Sequence, residues 1–172
     1  HVVAEQQFDG TMTFMVIPSA GNSGIEARIL DVSPENDLAL IELIGGQLSP
    51  AALVSAPPKD GADVYAIGYP ANVDMALQDS EDDNLHPQSP VKTRGNVSTG
   101  RTSKAFDSIL HTAPIAPGSS GGPLVDSCGR VVGVNSFGAT SEAGGAEFYF
   151  AISVREILAF LKKNGVAARQ TV

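Results

Sequence analysis

Tryptophan is absent and cysteine occurs once, at Cys128, so the chain can form no internal disulfide. That suits a reducing compartment and is equally compatible with the bacterial envelope. Basic residues are scarce: 11 Lys and Arg stand against 19 Asp and Glu, for a formal net charge of -8. A surplus of negative charge argues against nucleic acid as a primary partner. No apolar run reaches the roughly 18 residues of a membrane span, and no signal-peptide pattern is visible. Histidine is limited to His1, His86 and His111, which leaves few candidates for a general base. No internal repeat or interdomain linker is present. What remains is a chain of 172 residues with 18 Gly, 11 Pro and 42% hydrophobic residues, the composition of one turn-rich globular domain.

The dominant period is two. Thr11–Pro18 and Gly24–Val32 read as strands of a hairpin turning at Ser19–Ser23. Leu38–Ile44 is almost continuously apolar, as in a strand buried on both faces. Further strands are expected at Asp63–Ile67, Gly95–Thr99, Ser108–Ala113, Gly122–Asp126, Arg130–Phe137 and Glu147–Ile152. Short strands with Gly and Pro turns point to a β-sandwich or barrel. One helix is expected after Ser153: Ser153 and Glu156 have capping-box spacing, an apolar stripe runs through Val154, Ile157, Leu158 and Leu161, and Gly165 is a stop. Ala71–Pro90, with Asp74, Asp79, Glu81, Asp82, Asp83 and His86, reads as a long exposed loop. Its acids lack the alternate spacing of a calcium loop, so no metal and no cofactor are expected.

The chemistry concentrates in Gly118-Ser119-Ser120-Gly121-Gly122-Pro123. A serine in a tight glycine turn, followed by an apolar strand, has the setting of an activated nucleophile. The glycines let the backbone fold sharply and let a substrate carbonyl approach. The amides of Gly118 and Ser120 are placed to receive a developing oxyanion. A serine nucleophile needs a base and an orienting carboxylate. Asp37, at the mouth of Leu38–Ile44, is the best-placed acid, and His1 is the only histidine before it. A glycine-rich hairpin turn without chemistry is the alternative for Ser120, a tag remnant for His1, and a strand-opening turn residue for Asp37. His111 is expected to be a packed wall residue, with a pocket-lining role favouring acidic substrates as its alternative. Cys128 is a bystander in a turn.

The order His1, Asp37, Ser120, together with Asp37-Leu38-Ala39-Leu40 and the serine turn, resembles the chymotrypsin-like serine peptidases. It is most similar to the bacterial trypsin-like group that includes the HtrA (Deg) proteases. Ala66-Ile67-Gly68-Tyr69-Pro70, Arg94-Gly95-Asn96-Val97-Ser98, Val132-Gly133-Val134-Asn135-Ser136 and Phe150-Ala151-Ile152 are similar to further motifs of that group, in the same order. The resemblance implies an all-β fold of two orthogonal six-stranded Greek-key barrels and a C-terminal helix, in one peptidase domain over 1–172. The first barrel would extend to about residue 50, the second over about 60–152 and the helix over about 154–164. The sequence begins on the histidine, where the family has strands, so the first barrel is expected without its N-terminal strands. The resemblance is to the peptidase domain of that group, and no PDZ domain is expected after the helix.

By the same resemblance the activity would be serine endopeptidase, with Ser120 as nucleophile, His1 as base, Asp37 as its orienting acid and Gly118 and Ser120 as oxyanion donors. Asn135–Gly138 would offer an edge strand to an extended peptide. Pro114 stands six residues before Ser120, where enzymes that cut after Lys or Arg keep an aspartate. An apolar P1 preference is therefore expected, with Pro114, Ile115, Asn135, Ser136 and Phe137 contacting substrate. The partner would be a polypeptide, with no nucleic acid, no membrane span and no assigned oligomeric state. The location implied is the bacterial periplasm or the exterior. A catalytically inactive homologue or fragment, binding peptides through the same edge, is the other reading.

Overall fold

The structure, a computed structural model, describes residues 14–18, 24–70, 89–102, 106–139 and 147–171. Strand β1 (Phe14–Val16) pairs antiparallel with β2 (Ile25–Ser33), and β2 pairs with β3 (Leu38–Ile44) through the turn at 34–37. These three form one sheet. The run Leu38–Ile44 is not buried on both faces: Leu38 is buried, whereas Ile41 and Ile44 are 38% and 41% exposed. A continuous apolar run carries no period, so the sequence does not reveal which face meets the core. The Ser19–Ser23 turn and residues 11–13 lie outside the described residues.

The second sheet closes on itself. Strands β5 (Asp63–Gly68), β6 (Val91–Thr102), β7 (Asp107–His111), β8 (Pro123–Asp126), β9 (Val131–Ala139) and β10 (Phe148–Ser153) run in the order β10-β7-β6-β5-β8-β9. Pairing of β9 with β10 completes a six-stranded antiparallel barrel. Alternating residues fill it: Val64, Ala66, Val97, Ile109, Leu124, Val132 and Ala151 form one buried cluster. Two strands escape sequence reading, β4 (Leu53–Val54) and β11 (Gln170–Thr171), because two residues show no period. They pair parallel with each other, and β4 pairs parallel with β9 at Leu53 and Val131.

Helix α1 (Val154–Lys163) follows β10 directly. The Ser153 hydroxyl accepts from the Arg155 N–H at 3.4 Å. Glu156 does not close the reciprocal box expected of it. Its carboxylate instead accepts from Asn36 Nδ2 at 2.9 Å and from the Asp107 N–H at 3.0 Å, tying the β2–β3 turn to the start of β7. Tertiary donors outbid the local one. At the other end Gly165 has φ +70°, its N–H reaches Lys162 O, and the Val166 N–H reaches Leu161 O, which is a Schellman stop. Phe160 packs with Leu38 and Ile152 in a second core that joins the three-stranded sheet to the barrel. Asp31 on β2 accepts from Asn164 Nδ2 at 3.0 Å and Lys163 Nζ at 3.3 Å, which hold its carboxyl below the usual range.

Candidate active site

The serine turn is built by its glycines. Gly118 and Gly121 have φ of +96° and +81°, in the left-handed region that side chains disfavour. Gly122 passes so close to β5 that a Cβ would lie 2.2 Å from the Ile67 carbonyl oxygen. The turn is pinned by four hydrogen bonds: Ser119 N–H to Ala116 O at 2.8 Å, Gly122 N–H to Ser119 O at 3.1 Å, Gly121 N–H to Asn135 O at 2.8 Å, and Asn135 N–H to Gly122 O at 2.9 Å. The Ala116 N–H donates to Ser119 Oγ at 3.3 Å, and Thr93 Oγ1 donates to Pro114 O at 2.6 Å. Among the described residues the amides of Gly118 and Ser120 donate to no acceptor, unlike those of Ala116, Ser119, Gly121 and Gly122. They are the two donors that the turn leaves open to a ligand.

One residue of β9 joins the serine to the acid. Ser136 is 4% exposed; its hydroxyl donates to Asp37 Oδ2 at 2.7 Å, and its carbonyl oxygen accepts from Ser120 Oγ at 2.8 Å. Asp37 closes the β2–β3 turn at φ +51°, the one positive φ at a non-glycine position among the described residues. Aspartate tolerates that conformation better than most side chains. The hydroxyl of Ser136 is a site feature that the sequence did not disclose, since its partner lies 99 residues away. Where Asp37, Ser120, Ser136 and Gly118 converge, the third expected member is unplaced: His1 lies outside the described residues, as does the 71–88 segment with His86.

A cleft of about 800 Å³ opens beside Ser120. Ile115–Gly118 line it from one segment and Ser136–Gly138 from another, joined by Glu147 and Tyr149. The Tyr149 hydroxyl donates to Glu147 Oε2 at 2.8 Å, which raises the pKa of the phenol. Phe137 is 47% exposed and stacks on Phe150 with ring centroids 4.6 Å apart. Of the five expected substrate contacts, Ile115, Ser136 and Phe137 line this cleft. Pro114 lines instead a smaller apolar pocket of about 170 Å³ shared with Gly68, Thr93 and Ser119. Asn135 is 1% exposed, with its amide Nδ2 directed to Ile67 O and Pro123 O at 3.3 and 3.4 Å. Glu147 and Tyr149 went unread in the sequence, although their i, i+2 spacing puts both on one face of a strand.

His111 is fully buried on β7 next to Tyr149, with ring centroids 6.1 Å apart. It does not line the cleft, and neither ring nitrogen makes a hydrogen bond of good geometry, although the Ala113 backbone lies near enough to oppose burial weakly. Burial pushes its pKa down to about 4. Cys128 is exposed in the turn after β8. Among the described residues no group of three or more His, Cys, Asp or Glu is placed to hold a metal ion, and no helix is long and apolar enough to cross a membrane.

The model of the family described as "Trypsin-like peptidase domain" matches residues 1–134. A "Probable periplasmic serine endoprotease DegP-like" of Pseudomonas putida is 30% identical over 98% of this chain and 33% of its own length. "Serine protease Rv3671c" of Mycobacterium tuberculosis is 32% identical over 85% of this chain and 35% of its own length. The chain thus spans about a third of the length of the curated relatives it matches. Among solved structures, "HtrA-type protease AlgW with decapeptide" matches with a TM-score of 0.63 and 27% identity, over 81% of this chain and 40% of that one. The "active form" of the Rv3671c protease from M. tuberculosis matches with a TM-score of 0.66 and 24% identity, over 89% and 63%, a likeness of fold.

Proposed function

The chain belongs to the trypsin-like peptidase family, and from that premise we propose that it is a serine endopeptidase acting on polypeptides. In this reading Ser120 Oγ adds to the scissile carbonyl carbon while His1 takes its proton. The amides of Gly118 and Ser120 receive the oxyanion. Collapse of the tetrahedral intermediate breaks the C–N bond, and the leaving amine takes the proton from His1. Water, deprotonated by the same histidine, then hydrolyses the acyl-enzyme. Asp37 orients and stabilises the imidazolium. Before attack, Ser120 must exchange its bond to the Ser136 carbonyl for one to the base.

The observation that carries this reading is Ser136, which binds Asp37 through its hydroxyl and Ser120 through its carbonyl, so that acid and nucleophile are held by one residue. An extended peptide would lie along Ser136–Gly138, and a P1 side chain would enter the cleft beside Ile115 and Ala116. Those apolar walls support an aliphatic P1 preference. The DegP-like relatives are named as periplasmic, which supports an exported protein.

One observation favours a second reading, an inactive homologue that binds peptides: the Ser120 hydroxyl is already engaged with a carbonyl. A fluorophosphonate probe decides between them. Labelling of the chain, lost in Ser120→Ala, is the expected result. Absence of labelling, or labelling that survives the substitution, overturns the endopeptidase reading. A peptide scan with cleavage chiefly after Lys, Arg or Glu overturns the aliphatic preference.

A further inference from the structure

Among the described residues, the cleft beside Ser120 is lined by one carboxylate and by no lysine or arginine. Glu147 stands in that lining with one carboxylate oxygen fixed by the Tyr149 hydroxyl. Tyr149 is itself 8% exposed and packed on β10 between β7 and β9, so it is a rigid donor. Among the described residues Glu147 is in no ion pair; the pairs found there join Arg28 with Glu42, Arg94 with Asp63, Arg130 with Asp126, Arg155 with Asp107 and Lys163 with Asp31. An oriented carboxylate without a cation, in a cleft whose other lining includes Ile115, Ala116, Pro117 and Phe137, presents two demands to one guest. The guest needs apolar flanks and must not carry negative charge at its tip.

Accepting the cleft as the seat of the P1 side chain, which rests on the endopeptidase reading above, we infer that the hydrogen-bonded pair Glu147–Tyr149 is a specificity determinant of this site: it rejects acidic P1 side chains and admits, behind the aliphatic ones, long side chains with a cationic tip. The carbon stem of a lysine lies along the apolar walls while its ammonium meets the carboxylate. Aspartate or glutamate at P1 meets like charge with no compensating donor from a lysine or arginine. The same arrangement leaves no ground for a glutamyl preference through His111, which is buried behind Tyr149 and outside the lining. Because Glu147 is exposed, the discrimination is that of a partly solvated ion pair, about fivefold for attraction and about fivefold for repulsion.

The test measures binding without turnover. Ser120→Ala protein is titrated with fluorescent peptides identical except for Val, Lys, Gln or Glu at P1. The expected order of affinity is Val, Lys, Gln, Glu, with Lys about twentyfold over Glu. In Ser120→Ala/Glu147→Gln the Lys and Glu peptides converge, whereas Val is unchanged. Tyr149→Phe, which frees the carboxylate to turn away, gives an intermediate ratio and serves as a second variant should the first fail to fold. A Lys-to-Glu ratio near one, a ratio unmoved by Glu147→Gln, or no binding of any peptide overturns the inference. Fluorophosphonate labelling of the wild-type chain is read in parallel. Labelling with no charge discrimination sinks the inference alone, and charge discrimination without labelling sinks the endopeptidase reading alone.

Discussion

Ser136 and Asp37, 99 residues apart in the chain, meet at 2.7 Å, hydroxyl to carboxylate, across the junction of the three-stranded sheet and the barrel. The contact is a charge-assisted hydrogen bond to an acid whose own backbone is held at φ +51°. The carbonyl of the same Ser136 accepts the Ser120 hydroxyl at 2.8 Å.

Ser136→Ala removes the donor and keeps the carbonyl. A hydrogen bond to a charged group contributes roughly 1.5–3 kcal/mol. If Asp37 serves the base, kcat/KM falls at least about tenfold while KM changes little. Steady-state kinetics on a peptide with aliphatic P1, beside a thermal melt, separates this from simple unfolding.

Asp37→Asn tests charge without disturbing the turn, because asparagine also tolerates a positive φ. The melting temperature is expected to stay close to that of the parent chain. The rate is expected to drop on the order of 10⁴-fold, the scale seen when a triad acid is neutralised. Fluorophosphonate inactivation rates report the same loss without a substrate.

Gly122→Ala places a Cβ 2.2 Å from the Ile67 carbonyl oxygen, a clash with backbone that no side-chain rotation relieves. Strand β5 or the serine turn must move, at a cost of about 1–3 kcal/mol or more. Urea unfolding is expected to show that loss together with slower probe labelling.

The folded protein keeps His111 neutral down to about pH 4, whereas the unfolded chain takes up its proton near the ordinary histidine value of 6.5. Stability is therefore complete above the unfolded value and is lost as pH falls from there towards the folded one. Between about pH 7.5 and about pH 5 the loss from this one group is about 2 kcal/mol. His111→Phe is expected to flatten that part of the profile, read as urea midpoints at the two pH values.

Much of this architecture was legible in alternation and turn chemistry: nine of the strands and the helix overlap the segments expected from period and caps. The errors share a cause. Glu156 satisfies the spacing of a capping box, yet Asn36 and Asp107 claim its carboxylate, a choice made by distant neighbours. Leu38–Ile44 has no period from which to read its exposed face. Within the site, the serine turn was readable because glycines at +96° and +81° leave a mark in composition. The second duty of Ser136 leaves none, since nothing about a serine on a strand announces an aspartate 99 residues upstream.

Dependence on Ser136 also orders events in biosynthesis. The acid and the nucleophile both leave the ribosome before the residue that joins them, and β10, which closes the barrel around that residue, follows later still. A nascent chain holding Asp37 and Ser120 but not yet β9 has neither contact. Acid and nucleophile therefore gain their common partner only once β9 has been synthesised, which makes the geometry of this site a late product of the chain's own order.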